Sequence, residues 1–262
     1  MARVQLSYPG YGLSSIDMAV PQYGDSPLEK KMDEEQYYAK KFPVLWLLHG
    51  GYGCNSDWFR FTEIEKFAAD KRLFVVCISG ENSCYVDMDR GNQWESLLTG
   101  FVWDMVHDMF PMASEDPQDN YIAGLSMGGY GALRNGLAHP EKYGCIGSFS
   151  GAPSIAKNHA ENPDSLKALQ LDWVFGDKHK DTLNDPWYSA RALKDSGAAL
   201  PPVYLSCGTA DGLYADNTEY RKHLEALGYT VTWDEDGSGH EWGCREAKPE
   251  MGHRRNGVLP VR

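Results

Sequence analysis

The chain has 262 residues, of which 42% are hydrophobic, and its formal net charge at pH 7 is −12. This length and apolar content suit one large α/β domain with a filled core, so we expect a single domain over residues 1–262. The negative charge excludes nucleic acid and anionic membrane surfaces as expected partners, because their phosphates would be repelled, and it favours a neutral or cationic small molecule.

No run of the sequence has the apolar length of a membrane-spanning helix, and the first residues contain no apolar signal core. The six cysteines occur singly, and none forms a C-x-x-C pair. Buried thiols in a reducing compartment explain this distribution better than disulfides or a zinc site. The sequence therefore predicts a cytoplasmic protein, and it leaves open whether the chain forms a homo-oligomer.

The first part of the chain predicts strands of two kinds. Residues 3–8 and 16–20 alternate between apolar and polar positions, which is typical of half-exposed antiparallel edge strands. Residues 24–41 are rich in charge and show no apolar period, which indicates a solvated loop. Residues 42–48 and 73–78 are almost continuously apolar, as expected of strands buried on both faces.

One long amphipathic helix is predicted from Trp94 to Phe110, where apolar residues recur at spacings of three and four until Pro111 ends the pattern. Four more buried strands are predicted at residues 121–123, 143–149, 202–207 and 230–233. Buried strands alternating with helices predict an α/β fold with a mostly parallel sheet, helices on both faces, and functional groups at the carboxyl ends of the strands.

A candidate nucleophile lies between a predicted strand and a predicted helix, where residues 124–128 read Gly-Leu-Ser-Met-Gly. The flanking glycines leave room for a sharp turn that holds Ser126 in a strained conformation, with its side chain lifted from the sheet. This is the pattern of a nucleophile elbow. The helix that begins at Met127 directs its first N–H groups toward the serine oxygen, where negative charge would be stabilised. The alternative is a glycine-rich packing turn.

A second glycine-rich turn, His49 to Gly53, ends the predicted strand at residues 42–48. In hydrolases with an elbow serine, the loop at this place supplies the second oxyanion donor, and Gly51 is the candidate here. The alternative is an ordinary turn. His49 is interpreted as a hydrogen-bonded organiser of the loop rather than as a base.

Asp211 and His240 are the candidate acid and base. Each follows a predicted strand, and together with Ser126 they stand in the chain order nucleophile, acid, base. Asp216 is interpreted instead as a helix cap, and Ser150 as a structural residue at a strand end. Three competing acids have no strand before them: Asp172, Asp177 and Asp181.

The sequence resembles the α/β-hydrolase superfamily and, within it, the putative esterase (esterase D-like) family of tributyrin, feruloyl and acetyl xylan esterases and S-formylglutathione hydrolases. The matching stretches are residues 47–51, 124–132, 148–151, 207–211 and 239–242. The resemblance implies an ester-hydrolysing triad of Ser126, Asp211 and His240, with oxyanion donors at the N–H groups of Met127 and Gly51.

Two stretches depart from the family pattern. Residues 81–87 read Glu-Asn-Ser-Cys-Tyr-Val-Asp and lack the aromatic and glycine motif usual in S-formylglutathione hydrolases, which argues against that activity. Residues 243–262 lack the amphipathic helix that usually closes the sheet. This atypical tail, and Met251–Arg262 in particular, is predicted to be loosely held.

The predicted function is a serine carboxylesterase for short-acyl, carbohydrate-linked or aryl-linked esters, acting through an acyl-enzyme. No metal or organic cofactor is expected, because the mechanism requires none and no paired histidine ligand motif occurs. Thioester hydrolysis, acyl transfer and peptide cleavage would use the same groups. A hydrolase fold that binds ligands without turnover is a further alternative.

Residues 152–200 are predicted to be a lid or binding insertion beside the site, because so long an irregular connection is uncommon without a function. Trp173 and Trp187 are its candidate substrate-binding residues, since exposed aromatics stack on sugar or aryl groups. Otherwise the pocket is expected to be built from Tyr52, Tyr214 and Trp242.

Overall fold

The computed structural model describes residues 1–7, 15–24, 32–161, 170–176 and 182–242. In these ranges, eight strands form one sheet in the order β1-β2-β4-β3-β5-β6-β7-β8. The strands are β1 (Ala2–Leu6), β2 (Ile16–Val20), β3 (Val44–Leu48), β4 (Phe74–Ile78), β5 (Asn120–Leu125), β6 (Cys145–Phe149), β7 (Val203–Ser206) and β8 (Val231–Asp234).

The sheet is mostly parallel, as predicted. From β4 to β8 all neighbouring strands are parallel, and only the pairs β1 with β2 and β2 with β4 are antiparallel. The prediction that β2 is half-exposed was wrong. This strand lies between two others, and its side chains from Ile16 to Val20 are buried on both faces.

Helices cover both faces of the sheet, which confirms the predicted arrangement. They are α1 (Glu34–Tyr38), α2 (Asp57–Phe61), α3 (Ile64–Lys71), α4 (Trp94–Ser96), α5 (Trp103–Met109), α6 (Met127–Ala138), α7 (Ile155–Glu161), α8 (Leu171–Phe175), α9 (Pro186–Asp195) and α10 (Tyr214–Leu227). Alternate residues of β3 enter two separate apolar clusters. Trp46 belongs to the cluster that includes residues of α5, α6 and α10, whereas Leu47 belongs to the cluster that includes residues of α2 and α3.

Two local predictions need correction. Residues 34–38 form a short helix inside the predicted loop, because Asp33 and Gln36 make a capping box and Tyr37 is fully buried. The long helix also changes its winding, since Leu97–Val102 is a π-helix between α4 and α5. The wider turn shifts the buried face, so Phe101 is exposed while Trp103 is buried.

The insertion after β6 contributes α7, α8 and α9 to the described part of the chain. Residues 162–169 and 177–181, with the competing acids Asp177 and Asp181, lie outside the described ranges, as does the tail 243–262 with its predicted loose packing. No helix in the described ranges is long and apolar enough to cross a membrane.

Candidate active site

Ser126 lies on the sharp turn between β5 and α6, as the elbow pattern predicts. Its backbone has φ 56° and ψ −114°, a conformation that is rare for a residue with a side chain. The glycines at 124 and 128 make this turn possible, because a Cβ at Gly124 would overlap the Gly128 carbonyl. A Cβ at Gly128 would overlap the carbonyl of Leu48 on the neighbouring strand. The helix therefore packs against the sheet with its first residue beside the serine.

Ser126, His240 and Asp211 form one chain of hydrogen bonds. The Ser126 Oγ to His240 Nε2 distance is 2.9 Å, and the His240 Nδ1 to Asp211 Oδ2 distance is also 2.9 Å. A carboxylate only accepts hydrogen bonds, so Nδ1 carries the proton and Nε2 offers its lone pair to the serine hydroxyl. The three side chains thus have the arrangement of a nucleophile, a base and an orienting acid.

Asp211 is held ionised in the turn after β7. Burial opposes its ionisation, but hydrogen bonds from the Ser150 hydroxyl, the Leu213 N–H and His240 outweigh it and lower the pKa of this carboxyl. The interpretation of Ser150 as purely structural was therefore incomplete. Ser150 has a left-handed φ of 43°, and its side chain supports the acid.

The loop that carries His240 is fastened to the turn that carries Asp211. The N–H groups of Thr209 and Ala210 donate to the carbonyls of Asp236 and Ser238, at 2.7 and 3.1 Å. These backbone bonds fix the separation of the acid and the base, although the histidine side chain itself is 43% exposed.

The predicted oxyanion donors, Gly51 and Met127, line the same cavity as Ser126. Met127 is the first residue of α6, so its N–H has no acceptor within the helix. Among the described residues, no hydrogen bond uses the N–H of Met127 or of Gly51. Neither N–H group is therefore taken up by a protein acceptor in the described part of the chain, and their role as oxyanion donors stays a prediction.

His49 organises the loop that carries Gly51, which confirms its interpretation. It is buried, its Nδ1 lies 2.7 Å from the Gly50 carbonyl, and its Nε2 accepts from the Gly80 N–H at 2.9 Å. Burial lowers the pKa of this imidazole, which favours the neutral form that these contacts require. The next residue in the loop, Tyr52, has a left-handed φ of 61° and donates its N–H to Asn82 Oδ1 at 2.7 Å.

The triad opens into a cavity of about 460 Å³. Its walls come from the turn after β3, from the elbow, from the insertion helices and from α10. The lining residues are Gly51, Tyr52, Asn82, Cys84, Ser126, Met127, Ala152, Ile155, Asn158, Leu171, Leu213, Asp216 and His240. We call this space the catalytic cavity.

A second cavity of the same volume, about 460 Å³, adjoins the first, and Tyr52 and Asn82 line both. We call it the side cavity. Trp173 lines it with 53% of its surface exposed, and Arg90 and Gln170 add polar groups.

The five predicted substrate-binding residues are thus not brought together. Tyr52 lines the catalytic cavity and Trp173 the side cavity, whereas the other three line neither. Trp187 packs on Tyr220, and Trp242 packs edge-on against Trp58.

Tyr214 donates its hydroxyl to Glu235 at 2.7 Å. None of these last three side chains lines either cavity, since each is drawn into local packing or a local hydrogen bond, and their substrate-binding role stays a prediction.

Sequence reasoning missed most of the apolar lining. Ile155 and Leu171 lie on insertion helices, and Leu213 lies just before α10. Their only sequence signal was an apolar residue at the start of a helix, which occurs throughout any fold. Asp216 was also misread, because it is the third residue of α10 and accepts hydrogen bonds from Ser154 rather than capping the helix. Among the described residues, no group of three or more potential ligands is arranged to hold a metal ion.

Comparison with known proteins agrees with this geometry. Residues 34–236 match the family model described as putative esterase. An acetyl esterase of Caldicellulosiruptor saccharolyticus is 30% identical over 226 residues, which cover 83% of this chain and 82% of the relative.

Two solved structures from Staphylococcus aureus have similar folds. Fluorophosphonate-binding serine hydrolase F has a TM-score of 0.80 at 24% identity, with 94% of each chain covered. The S-formylglutathione hydrolase FrmB has a TM-score of 0.75 at 25% identity, also with 94% of each chain covered.

The fold is therefore that of an α/β-hydrolase, and the chain is an ester hydrolase. It belongs to the putative esterase family.

Proposed function

We propose that Ser126 is the nucleophile of a serine carboxylesterase, with His240 as general base and Asp211 as the acid that orients it. The observation that carries this proposal is the continuous chain of two 2.9 Å contacts from the serine oxygen through the imidazole to the carboxylate. Each side chain is fixed by backbone turns at strand ends, so little rearrangement precedes attack.

In the first half of the reaction, Ser126 Oγ attacks the ester carbonyl carbon while His240 Nε2 takes the hydroxyl proton. The carbonyl oxygen becomes an oxyanion, which accepts hydrogen bonds from the N–H groups of Met127 and Gly51. The imidazolium then gives its proton to the departing alcohol, and the acyl group remains on the serine. Asp211 stabilises the imidazolium through Nδ1.

In the second half, water attacks the acyl-enzyme. His240 removes a proton from the water and returns it to Ser126 Oγ as the acid product leaves. Every proton is transferred through this one histidine, and none of these steps requires a metal or organic cofactor.

We infer that the substrates are short-acyl esters of a carbohydrate or aryl alcohol. The acetyl esterase relative supports a short acyl group. The side cavity supports a ring in the alcohol part, because it adjoins the catalytic cavity and presents the exposed faces of Tyr52 and Trp173.

Thioester hydrolysis is a second candidate, because one of the similar structures is an S-formylglutathione hydrolase. Comparing kcat/KM for acetyl esters and S-formylglutathione distinguishes the two activities. Acyl transfer is measured by adding an acceptor alcohol to the same reactions, and peptide cleavage is measured by replacing the ester with an acyl-peptide.

The test of the mechanism is labelling with a fluorophosphonate followed by peptide mass spectrometry. We expect one adduct, on Ser126, and loss of both labelling and esterase turnover in Ser126→Ala at unchanged melting temperature. Labelling at another serine, or turnover retained in Ser126→Ala, contradicts the assignment. A folded protein that neither labels nor turns over would be a binding scaffold.

We further propose a cytoplasmic protein. The buried thiols of Cys77 and Cys84 support a reducing compartment, and burial raises the pKa of Cys84 to about 12, so this thiol is unreactive. Cell fractionation tests the location, and light scattering tests whether the chain forms a homo-oligomer.

A further inference from the structure

Asp216 is a carboxylate of α10 that lines the catalytic cavity together with Ser126 and His240, and the proposed mechanism does not use it. The surrounding wall is mostly apolar, with Ile155, Leu171 and Leu213 among its residues. A single carboxylate in such a wall is a strong determinant of what can bind, since every ligand there must either complement its negative charge or leave that charge uncompensated.

The Asp216 side chain is held in place by the insertion. Ser154, just before α7, donates both its hydroxyl and its N–H to the carboxylate, the latter at 3.3 Å. Trp187 Nε1 donates to the same Ser154 oxygen at 3.0 Å, so the serine proton is directed toward Asp216. Trp187 is thus a positioning residue for this carboxylate rather than a wall of the pocket.

The charge of Asp216 is not neutralised by a neighbour. Within the described ranges, no lysine, arginine or histidine lies at ion-pair distance from it. Burial raises the pKa of this carboxyl, and the negative charge of Glu219 raises it further. The hydrogen bonds from Ser154 and the positive charge of Lys157 lower the pKa, but the net shift is upward. Asp216 therefore keeps unused acceptor capacity and a negative potential inside the cavity.

We propose that Asp216 determines specificity: it selects esters that carry a hydrogen-bond donor in the part occupying this wall, and it rejects esters that carry a carboxylate there. Asn158, whose exposed side chain lines the same cavity, adds a second polar contact. This inference rests on the proposed esterase function, and it names the chemistry of the substrate rather than its reaction.

Two series of matched esters test the proposal, one for each side of the ester bond. The acyl series is ethyl butyrate, ethyl 3-hydroxybutyrate, ethyl 3-aminobutyrate and monoethyl succinate. The alcohol series is propyl acetate, 2,3-dihydroxypropyl acetate and 3-acetoxypropanoate. Rates of acid release in a pH-stat at pH 7 give kcat/KM. Comparing the hydroxyl ester with the ammonium ester separates a neutral donor from a charged one.

In whichever series places its substituent at Asp216, the wild-type kcat/KM should be roughly tenfold higher for the donor-bearing ester than for the apolar ester. For the carboxylate ester it should be lower than for the apolar ester by a similar factor. Asp216→Asn removes the charge but keeps a polar group, so the rejection of the carboxylate should relax about tenfold. Asp216→Ala should remove the preference for the donor as well.

Glu219→Gln is the matched control, because it removes the same charge from the exposed side of the same helix. Its ratios should equal those of the wild type. The proposal is overturned if both series give the same ratios in wild type and Asp216→Ala, or if Glu219→Gln relaxes the ratios as much as Asp216→Asn. Should Asp216→Ala fail to fold, the near-isosteric Asp216→Asn still shows whether the charge of Asp216 causes the rejection of the carboxylate ester. Complete absence of turnover in the wild type would instead overturn the esterase mechanism.

Discussion

The catalytic cavity has two walls that are built differently. One, the strand-end wall, carries Ser126 and His240 on segments that follow parallel strands, with Asp211 hydrogen-bonded to His240. The other, the insertion wall, carries Ile155 and Leu171 on the short helices α7 and α8. Backbone hydrogen bonds and close glycine contacts fix the first wall. The second is held by side-chain packing and by hydrogen bonds that include those from Ser154 to Asp216.

This difference separates reaction from selection. Substitutions in the strand-end wall should lower turnover of every ester, because the groups there contact the reacting atoms. Substitutions in the insertion wall should change the relative rates of different esters. If Asp211→Asn slowed only some esters, or Trp173→Ala slowed every ester equally, that division would fail.

Asp211→Asn should have the largest effect, a decrease in kcat of about ten thousandfold, the loss found for the equivalent change in a serine protease. Asparagine cannot hold His240 in the required tautomer, so the serine proton has no acceptor. Steady-state kinetics on an acetyl ester measures it.

The matched control for that change is Asp172→Asn, a largely exposed acid of the insertion that pairs with His159. Its kcat should stay within a few-fold of the wild type. A larger loss from Asp172→Asn than from Asp211→Asn would transfer the acid role to the insertion.

Gly128→Ala should destabilise the elbow by about 3 kcal/mol, because a Cβ there overlaps the backbone of Leu48 and His49, which cannot yield as a flexible side chain would. Chemical denaturation measures the free energy of unfolding. Gly100→Ala is the control, since nothing lies within 4 Å of a Cβ at that position. Equal stability of the two variants would mean that the close approach of α6 to the sheet is not required.

The positions in the strand-end wall could be predicted because each follows a local signal. A glycine or a short turn comes directly after an apolar strand, and the backbone alone then directs the side chain to the sheet edge. The roles of Ser126, Asp211 and His240 in catalysis remain predictions.

The insertion wall could not be predicted in the same way. Where an aromatic side chain points depends on tertiary neighbours, so Trp187 could not be distinguished from Trp173 in the sequence. Only the structure shows Trp187 donating to Ser154 and Trp173 lining the side cavity. Asp216 resembled a helix cap because it stands just ahead of the sequence run 218–227, although the helix already begins at Tyr214.

Glu95→Gln should cost on the order of 2 kcal/mol of stability at neutral pH. Glu95 pairs with Arg134 of α6 and with His139, and Arg134 also donates to Asn184 of the insertion at 3.3 Å, so this cluster links α6 to the insertion. Burial alone would raise the pKa of Glu95, but hydrogen bonds from His139 and Arg134 lower it to about 2. Removing one partner of a partly buried charge pair costs less stability than removing one partner of a fully buried pair.

The sign of the pH dependence follows from that shift. Because the folded-state pKa of Glu95 is depressed, its contribution is complete above the unfolded value of about 4.5 and is lost as the pH falls toward about 2. The difference in unfolding free energy between wild type and Glu95→Gln should therefore shrink over that range. Glu141→Gln, which removes the exposed second partner of His139, should change stability by less than 1 kcal/mol. A difference that grows on acidification would contradict the linkage.

Trp173→Ala should give the smallest effect, a selective loss of about 1 kcal/mol in transition-state binding, or roughly fivefold in kcat/KM, for esters with a sugar or aryl alcohol. The Trp173 ring is more than half exposed beside the side cavity, so its removal opens no void in the core. Small acetates that do not reach the side cavity should react at the wild-type rate. Tyr188→Ala controls for loss of an exposed aromatic elsewhere in the insertion, and it should change neither class of ester. Equal losses for large and small esters in Trp173→Ala, with a lowered melting temperature, would make this tryptophan part of the scaffold and remove the functional distinction between the two walls.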